Sequence, residues 1–181
     1  MKLPQVFSRF RRAGTIDALY GMIVAQARLP VFYRDYGVAD TVNGRFDLII
    51  LHLALVLRRT GKSGGSLQKL GQGVFDRFCL DMDENLREMG VGDLSVPKHM
   101  QKVGAAFFGR SQAYDVGLAG DDVTLNAAIT RNVYGGIAGD GAPRLAAYMR
   151  ATAARLEAQR DGSLARGELE FPDPNSVTSG A

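Results

Sequence analysis

Apolar residues recur along most of this chain at steps of three and four, the spacing of one face of an α-helix. Leu3, Val6, Phe7 and Phe10 form such a face at the start; Ile16, Leu19, Tyr20, Ile23 and Ala27 form the next, which closes near Pro30. From about Phe46 to Thr60 the sequence is apolar almost all round, and "LIILHLALVL" is broken only by His52. A helix of that kind belongs at the centre of a fold. Leu67, Leu70, Val74, Phe78, Met82, Leu86 and Met89 make a long stripe that stops at Gly90 and Gly92. Met100, Val103, Phe107, Tyr114 and Leu118 line the following helix, with Pro97 in its first turn. "GDDVTLNAAITRNVYGG" reads as an Asp-capped helix ended by Gly135 and Gly136, and a last helix runs roughly from Ala142 to Ala165.

Between these elements lie "PVFYRDYG", a short aromatic turn or helix, "ADTVNGRFD", with an Asn-Gly turn signal, and "TGKSGGS", a flexible loop after which Ser66 is placed to cap a helix. No run alternates apolar and polar residues as a strand would. The predicted fold is all-α, with about six or seven helices in one domain over residues 14–165. A basic amphipathic segment, 1–13, precedes it, and a polar tail, 166–181, reads as disordered.

Length changes this picture little: 181 residues suit one domain, and 46% hydrophobic residues suffice for its core. The single cysteine, Cys79, excludes an internal disulfide and reads as a core residue. Charge is more informative. Lys2, Arg9, Arg11 and Arg12 stand in the first fourteen residues without an acid, leaving 22 − 4 = 18 basic against 19 acidic residues elsewhere. A near-neutral body is not a nucleic-acid-coating surface, and no DNA partner is expected. Lys2, Phe7, Arg9, Phe10, Arg11 and Arg12 suit contact with anionic lipid or an acidic partner, or a terminus docked on the body. No stretch reads as a secretory signal. Ten residues of apolar helix rise only about 15 Å, too short for a hydrocarbon core of roughly 30 Å. The protein is expected to be soluble, or at most to sit on a membrane surface, and its single cysteine fits a reducing compartment.

The densest polar stretch is "FCLDMDENLREMGVGDLSVPKHM", where Asp81, Asp83, Glu84, Glu88 and Asp93 precede His99. A di-iron bundle needs Glu-x-x-His pairs, but Ile49 and Val96 stand three residues before the two histidines. Thiolate zinc, His-Glu-x-x-His and EF-hand spacings also fail. On a helix, Arg77 with Asp81 and Asp83 with Arg87 sit four apart and can pair. The stretch therefore reads as a solvated face, and no metal or cofactor is expected. His52 reads as a hydrogen-bonded core histidine. Two rival readings follow: a helical enzyme using His52 with a carboxylate, and a ribosome- or RNA-binding patch of Lys98, Lys102 and Arg110. The aromatic residues Phe32, Tyr33, Phe46, Phe107, Phe108 and Tyr114 are candidates for an apolar client surface. Of the adjacent Phe107 and Phe108, one is expected to face outward.

"AQARLPVFYRDYGVADTVNGRFDLIILHLALVLRR" and "FDRFCLDMDENLREMGVGDLSVPKHMQKVGAAFFGRSQAYD" resemble the ubiquinol–cytochrome c chaperone family, in its bacterial form without the long mitochondrial leader, over roughly residues 14–160. The resemblance implies a helical assembly factor rather than an enzyme. It implies cytochrome b as the apolar client, with a ribosome contact and a small partner protein as in mitochondrial members. The motif positions include Arg45, Asp47, His52, Arg59, Asp81, Asp83, Arg87, Glu88, Gly90, Asp93, Arg110 and Asp115. They are expected to be structural, with Arg45, Arg87 or Arg110 paired to acids near the corner at residue 90.

Overall fold

The architecture follows from the helix that is apolar on every side. In the computed structural model, which describes residues 3–177 and the side chains from Ala13, α3 (Val42–Ser63) buries nine consecutive residues from Leu48 to Val56. Such a helix has no face to give to water, so others pack around it. They are α1 (Leu3–Ala27), α4 (Gly65–Glu88), α5 (Val96–Ala119), α6 (Asp122–Val133) and α7 (Gly141–Ala158). Two short helices, α2 (Pro30–Arg34) and α8 (Asp161–Ala165), complete an all-α domain, with eight helical segments among the described residues. The expected last helix is divided between α7 and α8. Among the described residues no helix is long and apolar enough to cross a membrane.

Helix ends follow the sequence with instructive exceptions. Asp121 caps α6 by accepting from the Thr124 amide at 2.8 Å. Gly90, Gly135 and Gly136 take positive φ where α4 and α6 stop. The Asn-Gly pair, by contrast, is no turn. Thr41 caps α3 by accepting from the Gly44 amide at 3.1 Å, so Asn43 and Gly44 lie in the first helical turn. Glycine is needed there because a Cβ would come within 2.0 Å of the Ala39 carbonyl oxygen. "TGKSGGS" is mostly helix too: α3 runs to Ser63, Gly64 and Gly65 turn the chain, and Ser66 caps nothing.

Helix α1 runs unbroken from the N-terminal segment into the domain. The contact proposed for Lys2, Phe7, Arg9, Phe10, Arg11 and Arg12 lies outside the described side chains. Of the tail, the described residues 166–177 pack on the helical body. Leu169 is buried, Phe171 packs edge-on to His52, and Tyr36 donates to the Pro174 carbonyl at 2.7 Å. The tail is polar in composition, yet its backbone supplies an acceptor that a buried tyrosine hydroxyl needs.

Candidate functional site

The first candidate, His52, is entirely buried and fully occupied. Its Nδ1 lies 2.7 Å from the Leu48 carbonyl oxygen, and its Nε2 lies 2.9 Å from the Tyr148 hydroxyl. A carbonyl can only accept, so Nδ1 carries the proton and Tyr148 donates to Nε2. Gln26 Nε2 donates in turn to Tyr148 at 2.9 Å. Phe32, Tyr148 and Phe171 pack edge-on or tilted around the imidazole. Burial pushes its pKa down to about 4. Neither ring nitrogen meets a carboxylate, so the geometry required for acid–base work by His52 is not present.

Three acids of the 78–100 stretch are engaged with particular partners, while Glu84 and Glu88 face solvent. Asp83 accepts from Arg87 at 2.7 Å, and Asp93 holds the other side of the same guanidinium, which closes the corner after α4. Asp81 does not pair with Arg77; it accepts from the Tyr20 hydroxyl at 2.7 Å, and Arg77 instead faces Asp17 at 3.3 Å and lies over the Tyr20 ring. Arg45 pairs with Asp40, not with the corner, and Arg58 with Asp115. His99 bonds back to the Ser95 carbonyl.

Arg110 Nη2 approaches the buried Asp47 at 2.8 Å, while Lys98 and Lys102 stay exposed. Burial raises the Asp47 carboxyl to about 6 against the downward pull of Arg110. Replacing Arg110 by Ala is therefore expected to raise it further and to cost about 1–2 kcal/mol at neutral pH. Denaturant unfolding at pH 7 and pH 5 checks this. Part of the loss should return at pH 5, where the carboxyl is protonated; equal stability of both proteins at both pH values would contradict it.

Of the six aromatic candidates, Phe32, Phe107 and Tyr114 are core residues and face no solvent. Phe108 is 62% exposed beside Phe75, so it is the outward member of its pair. Phe46 and Tyr33 are half-buried, and Phe46 lines an open apolar feature. This is a groove of about 400 Å³ where the start of α3 meets the end of α4, with Val103 of α5 closing it. Val42, Phe46 and Ile49 form one wall, and Met82, Leu86 and Met89 the other. Val42 and Met89 are 74% and 64% exposed.

Sequence reasoning assigned the three residues of the α4 wall to the core, because they continue the stripe of Leu67 to Phe78 in perfect register. The signal that could have separated them is the change from Leu, Val and Phe to Met, the residue that adapts to variable partners.

The open groove is apolar and carries methionine on one wall, Asp81, Asp83 and Asp93 are held by neighbouring side chains, and His52 is sealed in the core. The chain belongs to the ubiquinol–cytochrome C chaperone family, whose pattern it matches over residues 34–171. It superposes on the crystal structure of the Cbp3 homolog from Brucella abortus with a TM-score of 0.87 and 36% identity, covering 96% of this chain and 98% of that one. It is 26% identical over 152 residues to ubiquinol-cytochrome c reductase complex assembly factor 1 of Drosophila melanogaster, covering 79% of this chain and 58% of that protein. Against the Homo sapiens protein of the same name it is 24% identical over 131 residues, 72% of this chain and 44% of the relative. The chain thus spans about half the length of the curated relatives it matches.

Proposed function

We propose that this protein is an assembly chaperone for ubiquinol–cytochrome c reductase, and that the α3–α4 groove receives an apolar helical segment of newly made cytochrome b. One observation carries the reading: Val42, Phe46 and Ile49 on one helix and Met82, Leu86 and Met89 on its neighbour are each spaced by four and three. Two such ridges leave a furrow of the width a third helix fills. Each ridge spans seven steps of sequence, a rise of about 10 Å, or two turns of a guest helix. Shielding a helix in this way needs neither cofactor nor turnover. The family names and the resemblance in sequence support the reductase as the destination. The place of work is the cytoplasmic side of the inner membrane, where the basic N-terminal segment would meet anionic lipid.

The test is a double substitution, Met82→Glu with Leu86→Glu. Two carboxylates in the furrow should weaken client binding at least about thirtyfold, since an anchor of this kind contributes 2 kcal/mol or more. The α4 turn that carries them is partly exposed, so the fold should persist by circular dichroism. Cells carrying only this variant should lose the haem b signal of the assembled reductase from their membranes. Normal levels of the complex with the double variant would refute the assignment.

A further inference from the structure

The groove has a charged neighbour. A second depression of about 420 Å³ is lined by Arg28, Pro30, Tyr33, Arg34, Asp40 and Arg45. Arg28 and Arg45 line both cavities, so the apolar groove opens directly onto a shelf of three guanidinium groups with one carboxylate. Their commitments differ. Arg34 is held by Asp35 through two bonds of 2.7 and 2.8 Å, and Arg45 by Asp40 at 2.7 Å. Arg28 is exposed and pairs with no carboxylate among the described residues. The Tyr33 hydroxyl donates to the Ala27 carbonyl, which fixes its ring beneath Arg45. The acid nearest on the opposite wall, Asp81, already accepts from Tyr20.

We propose that this shelf selects the guest: the helix that fills the groove carries an Asp or Glu on the turn nearest α2, where its carboxylate meets Arg28 and Arg45. The inference rests on the reading of the groove as a polypeptide site. A helix is favoured over a lipid chain because the two walls present matched helical ridges, which an acyl chain does not need. Charge complementarity at a rim acts mainly on orientation and encounter rate. The shelf therefore decides which way round the guest lies, and the furrow supplies most of the hold.

The experiment uses the full chain and labelled helical peptides with one common apolar face of Leu, Met and Ala. The flanking pair is Glu-Glu, Gln-Gln or Lys-Lys, placed at either terminus. Binding is read by fluorescence anisotropy at low and high salt. The acidic peptide, at its better terminus, should bind about tenfold more tightly than the basic one at low salt, with the gap narrowing at high salt. Arg28→Gln with Arg45→Gln should erase the preference, and Arg28→Glu with Arg45→Glu should reverse it.

Equal affinity for all the peptides would overturn the selection by charge and leave the groove intact. Failure of every peptide to bind, or binding untouched by Met82→Glu with Leu86→Glu, would remove the groove reading itself. If phosphatidylglycerol vesicles bind wild type but not the Arg28→Gln, Arg45→Gln protein, and displace the acidic peptide, the shelf is a lipid headgroup site and the proposal fails.

Discussion

Lowering the pH from 7 to 4 is expected to remove about 3 kcal/mol of stability through His52 alone, from a folded-state pKa of about 4 against 6.5 for the free side chain. The sign follows from which state binds the proton. Above pH 6.5 the imidazole is neutral folded or unfolded, and its contribution is complete. Between 6.5 and 4 the unfolded chain takes up a proton that the buried ring refuses, so acid favours unfolding. The cause is structural: the ring is fully buried, and Nε2 is committed as an acceptor from Tyr148. Asp47 works in the opposite direction. Its carboxyl, raised to about 6, lets the folded state bind a proton first as the pH falls below neutrality. The two partly offset each other in the native protein and separate by mutation. His52→Leu should be less stable at pH 7, because the Tyr148 hydroxyl loses its acceptor, yet should show a flatter decline toward pH 4. Denaturant midpoints measured across that range decide it, and identical pH slopes for the two proteins would rule the assignment out.

The same histidine shows how far local sequence reaches. That His52 is a bonded core residue is legible from its place in an uninterrupted apolar run. Its partner is not legible, because Tyr148 stands 96 residues away and only the packing of α7 on α3 brings the two together. The central helix, the Asp121 cap and the glycine stops were legible for the same local reason. Asn43-Gly44 misled because the requirement for glycine there comes from the Ala39 carbonyl, not from a turn. The packing of the described tail residues was not legible, because Leu169, Phe171 and the Pro174 carbonyl meet partners far away in sequence. The groove was legible only in part. Phe46 pointed to it, but Met82, Leu86 and Met89 continue a core stripe past the point where the core ends. Periodicity finds the face of a helix and is blind to where its neighbour stops.

Arg59→Ala is expected to cost about 3 kcal/mol, through the charge-assisted hydrogen bonds lost from a buried guanidinium, although no part of the groove touches this residue. Arg59 is 9% exposed near the end of α3. Its guanidinium donates to the Leu156 carbonyl at 2.8 Å, the Gln159 carbonyl at 2.9 Å and Asp161 at 2.6 Å, and also to Ser63. The two carbonyls belong to the end of α7, where a helix has unmet acceptors and a partial negative charge. Asp161 opens α8. One planar group therefore closes α7, fixes the turn into α8 and ties both to the central helix. Truncation would leave the Gln159 carbonyl without its side-chain donor, strip one of two donors from the Leu156 carbonyl, and open a cavity beside Leu156, which is 1% exposed. For a chain of this size the loss corresponds to a fall of about 6–12 °C in Tm. Arg59→Lys should recover less than half of it, because a single ammonium cannot span a fork of four acceptors. Thermal unfolding of the three proteins is the measurement. If lysine restores the wild-type Tm, the charge matters and the geometry does not. If alanine leaves it unchanged, the end of α7 is held by its packing, and the latch described above has no energetic role.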